Sequence, residues 1–152
     1  MSAANRGKDL EAEFRDACVK RSARANFAFH RFPDAHAGSF QPVPADFMTC
    51  LDGDTRLIEV KETKEENRLP YNNLKSDQVA RMRMWATAGA GSFVLVKHTT
   101  LGIYRVFEVE QFLPRPEGQG SWFFTYSAKK EVLDPLYTTK DFMSALNFIH
   151  EA

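Results

Sequence analysis

The chain has 152 residues, of which 43% are hydrophobic and 26% charged, a balance that predicts one globular domain with a core of its own. Its 20 Lys and Arg are matched by 20 Asp and Glu, which excludes a protein that coats itself in phosphates through bulk positive charge. It does not exclude an enzyme that gathers acids round a divalent cation. No apolar run approaches the roughly 20 residues that a bilayer span needs, and "MSAANRGKDLEAEF" has no signal-like apolar stretch, so a cytoplasmic protein is expected. Cys18 and Cys50 form no paired motif, which predicts free thiols and no cysteine zinc site.

From Gly7 to about Arg24 the periodicity is helical, with Leu10, Phe14, Ala17 and Cys18 on one stripe. Lys20, Arg21 and Arg24 cluster in its last turns, where they suit the negative end of the helix dipole. "NFAFHRF" reads as a strand and gives way to "PDAHAGSFQPVP", a loop by its Pro, Gly and Ser. "ADFMTC" and "TRLIEVKE" are two further strands, joined at Asp52-Gly53 by a strong hairpin signal. "TKEENRLPYNNL" is a polar loop. A helix follows from about Lys75 to Ala88 with Val79, Met82 and Trp85 facing inward, and then "SFVLVKH" and "IYRVFEV" as strands turning at Thr100 to Gly102.

"LPRPEGQG" forbids regular structure through its paired Pro and Gly. It suggests a core over residues 1–113 and an extension over 114–152 that packs on the same domain. In that extension "SWFFTYS" reads as an edge strand. "TTKDFMSALNFIHEA" reads as an amphipathic helix with Phe142, Leu146 and Ile149 in register and Thr138 or Thr139 as N-cap. The sum is a mixed α/β domain round one sheet.

A two-residue turn at Asp52-Gly53 pairs Leu51 with Asp54, Cys50 with Thr55, Thr49 with Arg56, Met48 with Leu57 and Phe47 with Ile58. One step further, Asp46 falls opposite Glu59, at a Cβ separation of about 4.5–5.5 Å. Lys61, two residues on, shares the face of Glu59, as does Leu57. Two opposed carboxylates repel, more so when partly buried. A shared proton, an ion pair with Lys61 or a bound cation would each relieve them. Hard divalent cations such as Mg²⁺ take one or two carboxylates together with water and phosphate, and the Val60 carbonyl stands ready to join. A solvent face of alternating charges produces the same spacing by chance.

Glu11 borders the inward stripe of the first helix, where an acid leans over the sheet, although the helix dipole alone also favours an acid there. Gln78 shares a face with Met82 and Trp85, which points an amide inward, either as a core contact or to hold water or phosphate. No phosphate-binding glycine loop, nucleophile elbow or zinc-protease motif is present, and the four histidines have no ligand spacing.

These pieces resemble the PD-(D/E)xK nucleases and, more closely, the RecU-like Holliday junction resolvases. The resemblance is carried by "RGKDLE", "FHRFPDA", "PADF", "IEVKETK" and "RLPYNNLKSDQVARM", in order over roughly residues 5–110. It implies a restriction-endonuclease-like core, a central mixed β-sheet flanked by helices, and a magnesium-dependent endonuclease that cuts four-way junctions to leave a 5′-phosphate and a 3′-hydroxyl. Glu11, Asp46 and Glu59, with Val60, would bind Mg²⁺, for which Mn²⁺ substitutes; Lys61 would be catalytic and Gln78 would act beside them. Two symmetric cuts imply a homodimer. Candidate DNA contacts are Arg21, Arg24, Arg31, Lys64, Arg68, Tyr71, Lys75 and Arg81.

The RecU-like proteins carry a long stalk between the second and third of these pieces, where this chain has only "HAGSFQPV". A nicking, restriction-type or repair nuclease of the same fold, or a non-catalytic nucleic-acid-binding module, are the competing readings.

Overall fold

The computed structural model describes residues 3–24, 26–33, 43–113, 115, 117–124 and 132–151, with side chains from Asp9 onward. The segment that stands in place of a stalk lies largely outside them, as do the last residues of "SWFFTYS".

Helix α1 (Ala3–Ser22) opens the chain, followed by strands β1 (Phe27–Arg31), β2 (Phe47–Leu51) and β3 (Asp54–Thr63). β4 (Arg68–Pro70) and a 3-10 turn at Tyr71–Asn73 lead into α2 (Ser76–Thr87). β5 (Gly91–His98), β6 (Ile103–Glu108), β7 (Ser121–Phe123), β8 (Tyr137–Thr139) and α3 (Phe142–Glu151) complete the order. Among the described residues six strands form one sheet in the order β1-β2-β3-β5-β6-β8, while β4 and β7 make a separate pair. β3 and β5 run parallel and the other pairings of the large sheet are antiparallel. The parallel pair needs a crossover, which α2 supplies.

The hairpin register is the expected one, from Leu51 against Asp54 to Phe47 against Ile58. Its turn holds Asp52 at φ 50° and Gly53 at φ 88°, the left-handed pair that a two-residue hairpin loop demands.

Side-chain alternation along the strands splits the apolar residues between two layers. On one face α1 and α3 bury Leu10, Phe14, Phe47, Ile58, Val60, Leu146 and Ile149. On the other, α2 and the small sheet bury Leu57, Val79, Met82, Val94, Phe107 and Trp122.

Several expectations are corrected. α1 ends at Ser22, so Arg24 lies past it. The polar loop after β3 contains β4 and the 3-10 turn, and β7 pairs with β4 rather than edging the main sheet. Trp85 is 44% exposed, because the buried stripe of α2 runs through Val79 and Met82 and leaves Trp85 at its margin. Thr138 and Thr139 belong to β8, which pairs with β6. The cap of α3 is Asp141, whose carboxylate accepts from the Ser144 N–H at 3.1 Å. No helix among the described residues is long and apolar enough to cross a membrane.

Candidate active site

Asp46 stands one residue before β2, opposite the middle of β3. Its Oδ2 accepts the Val60 N–H at 2.9 Å, taking the place of a main-chain carbonyl where the β2 ladder has ended. A strand residue's N–H and C=O point the same way, so the Val60 carbonyl faces the same side as Asp46. The Asp46 carbonyl itself accepts the Phe32 N–H at 2.9 Å, which fixes the entry to β2.

Glu59 is only 2% exposed and projects towards α2. Gln78 donates to its Oε2 at 2.8 Å, and the Lys61 ammonium lies 3.8 Å from the same oxygen. Gln78 also accepts the Lys75 N–H at 3.2 Å through its Oε1, reaching back from the third helical position to the residue before α2. One amide therefore starts the helix and aims the buried acid. Its place at the third helical position was the legible signal for this role.

Asp46 is pushed well above the usual carboxylate range. Burial is the first cause, followed by the charge of Glu59 and a hydrogen bond shared with it; the Val60 N–H and the Lys61 charge pull the other way. The pair is thus driven towards sharing a proton, and Lys61 does not supply enough positive charge to prevent it. That chemistry fits a divalent cation. Among the described residues no three His, Cys, Asp or Glu side chains are gathered closely enough to hold an ion, so the donor set nearest to hand is this carboxylate pair with a backbone carbonyl.

A cleft of about 440 Å³ opens beside the pair, lined among others by Glu11, Asp46, Val60, Lys61, Lys64 and Glu65. Glu11 reaches it from α1, and its carboxylate is 3.5 Å from the Arg31 guanidinium. Glu11 and Asp46 thus meet in one cleft, with Glu11 held from β1.

The expected DNA contacts are scattered over the fold. Lys64 lines the cleft and, among the described residues, has no acidic partner within ion-pair distance. Arg31, Arg68 and Arg81 are engaged with Glu11, Glu65 (3.3 Å) and Asp77 (3.0 Å). Arg21 sits over the Phe27 ring at 5.3 Å and, with Arg24, lies at the hairpin end of the sheet. That is about 15 Å along α1 from Glu11 by helix rise. Tyr71 packs edge-on against Trp122, with the Arg115 guanidinium over both rings. Lys75 is exposed at the start of α2.

Sequence reasoning missed Thr63, Asn73 and Thr99 in the cleft lining, and the Arg115 sandwich. Thr63 follows from the same counting, two residues past Lys61 on one face of β3; nothing local marks the others, because each reaches its place through contacts distant in sequence.

A comparison with curated sequences finds no match to the chain. Among solved structures it is similar to the 1.6 Å structure of Hjc, a Holliday junction resolvase from the archaeal hyperthermophile Archaeoglobus fulgidus. The identity is 29%, over 73% of this chain and 83% of that one, with a TM-score of 0.50. The family model described as RecU: Recombination protein U matches residues 34–132. That span holds Asp46, Glu59, Lys61 and Gln78 and is more than half of the sequence, so the chain belongs to the RecU family.

Proposed function

We propose that this chain is an endodeoxyribonuclease that resolves four-way (Holliday) junctions, working as a cytoplasmic homodimer with Mg²⁺, for which Mn²⁺ substitutes. The observation that carries the reading is the Asp46–Glu59 pair beside Lys61 at the cleft, in a member of the RecU family that is similar to a junction resolvase.

Asp46, Glu59 and the Val60 carbonyl are the groups that would hold the cation, and Glu11 completes or tunes the set from the cleft wall. When bound, the cation offsets charge at the scissile phosphate and makes an attacking water more acidic. Lys61 keeps a fixed positive charge on the face of Glu59, where it orients that water or shares the charge that grows on the phosphate in the transition state. Gln78 holds Glu59 in one rotamer, so the carboxylate spends no freedom when substrate arrives. Lys64, which has no acidic partner among the described residues, contacts a neighbouring backbone phosphate. A junction needs two cuts related by its own symmetry, which is the reason for two copies.

The test is cleavage of a labelled four-way junction with Mg²⁺, with Mn²⁺ and with EDTA, beside duplex, flap and single-stranded DNA, and with the mass of the protein in solution measured in parallel. Paired cuts in the junction that vanish with EDTA, made by a dimer, are expected. Equal cutting of plain duplex would overturn the junction reading, and cutting in EDTA the cation reading.

A further inference from the structure

The segment from Thr63 to Asn67 leaves β3 two residues after Lys61 and borders the cleft with Thr63, Lys64 and Glu65. Carbonyls in such a surface connection are ordinarily left to water. Here five in succession are taken up by donors from elsewhere in the fold. The Thr63 carbonyl accepts from the Thr99 N–H at 3.0 Å, and that of Lys64 from the Thr100 hydroxyl at 2.9 Å. Those of Glu65 and Glu66 accept from His98 Nδ1 at 2.6 Å and from the Arg105 guanidinium at 2.9 Å. The Asn67 carbonyl accepts from the Phe124 N–H at 2.7 Å.

His98 and Arg105 form the centre of this row. His98 is fully buried and Arg105 nearly so, on the adjacent strands β5 and β6. A carbonyl only accepts and a guanidinium only donates, so His98 is the neutral tautomer that carries its proton on Nδ1. Its Nε2 accepts from Arg105 at 3.0 Å. Phe124 closes the pair off, edge-on to His98 at 5.6 Å and 5.7 Å below the Arg105 guanidinium. A buried imidazole and guanidinium are a costly way to fill space that apolar side chains would fill at least as stably. What the polar pair does that an apolar pair cannot is bond two successive main-chain carbonyls.

We infer that His98 and Arg105 are positioning residues: they clamp the Lys64–Asn67 backbone so that Lys64 and the wall of the cleft beside Lys61 are set before DNA arrives. This rests on the nuclease reading above. A long branched substrate is held mainly by phosphate contacts spread over its arms. Loosening one segment therefore costs little affinity. It costs rate, because the segment must then be ordered at the reacting phosphate.

The experiment compares the whole protein with H98F, H98N and T100V, by amide hydrogen exchange at residues 63–67, 99 and 124, and by affinity and single-turnover cleavage on a four-way junction. H98F removes both bonds of the imidazole. Expected are exchange at least ten-fold faster in these amides with the sheet core unchanged, cleavage about ten-fold or more slower, and affinity within about two-fold. H98N keeps a donor at the place of Nδ1 and recovers most of the rate. T100V, at an exposed position that does not threaten folding, loosens the Lys64 carbonyl alone and slows cleavage about two- to three-fold.

A folded H98F with exchange unchanged overturns the clamp; one with fast exchange and full cleavage rate overturns its part in the reaction. Should H98F not fold, T100V decides in the same two ways. A wild-type protein that cuts no branched DNA would sink the nuclease reading instead, while the exchange measurements would still show whether the five carbonyls are held.

Discussion

The β2–β3 hairpin has two ends built to opposite purposes. At the turn, Asp52 and Gly53 take the left-handed conformations that the loop requires, and Arg56 reaches the Ile149 carbonyl at 3.4 Å and the Thr55 carbonyl at 3.2 Å. Thr49 pairs with His150 at 2.7 Å. There the polar groups tie α3 to the sheet. At the other end Asp46 and Glu59 are pressed together until one is pushed far from its ordinary range. One pair of strands is thus consolidated where nothing reacts and strained where the cleft opens. Repulsion of this kind persists only because the remainder of the hairpin fixes the register.

Neutralising the strained end breaks the contrast most sharply. Asp46→Asn is expected to lower junction cleavage by about 10³-fold, or about 4 kcal/mol of transition-state stabilisation. The same change makes the metal-free protein more stable at neutral pH, because it removes a buried carboxylate held beside Glu59. A carboxyl whose folded value is raised stabilises the fold when protonated, and that contribution is lost as pH rises through and above the ordinary carboxylate range. Asn stays neutral throughout. Thermal melting at neutral pH, without metal, checks the sign: a lower Tm for the variant would remove the claim of strain.

At the consolidated end the pH dependence has its own signature. Burial first, then the charges of Arg56 and Arg21, bring His150 down to about 4. An imidazole depressed in the folded state contributes stability that is complete above its ordinary value near 6.5 and is lost as pH falls towards 4. The loss is about 1–2 kcal/mol once solvent screening of this half-buried group is allowed for. Urea unfolding between pH 7 and 4 measures it, and His150→Gln is expected to flatten that part of the curve without slowing cleavage at neutral pH.

The smallest effect belongs to the turn. A Cβ on Gly53 would meet nothing within 4 Å, so Gly53→Ala costs only its left-handed backbone, about 1 kcal/mol. Cleavage per folded molecule should not change. If it falls with stability, the two ends of the hairpin are coupled more tightly than the comparison allows.

What could be read in the sequence follows the same division. The hairpin register was legible because a two-residue turn is a local device: once Asp52-Gly53 is placed, Asp46, Glu59 and Lys61 follow by counting. Gln78 was legible in part, through its inward position near the start of α2. The separate β4–β7 pair was not, since Arg68–Pro70 finds Ser121–Phe123 across a long stretch of chain and three residues carry no periodicity. The same is true of β8. Trp85 was misplaced because a large apolar side chain at the border of a helical stripe reads as core. The basic residues show the limit most clearly: Arg31, Arg68 and Arg81 each turn out to face an acid, and only the fold reveals which cations are left over.

The parallel pairing of β3 with β5 has a kinetic consequence. A hairpin closes in about 1–10 μs, whereas a parallel pair waits for its crossover to form and dock. Asp46 and Glu59 are therefore expected to meet early during folding. Gln78, which arrives with the crossover helix, is expected to join them only when the sheet is nearly complete.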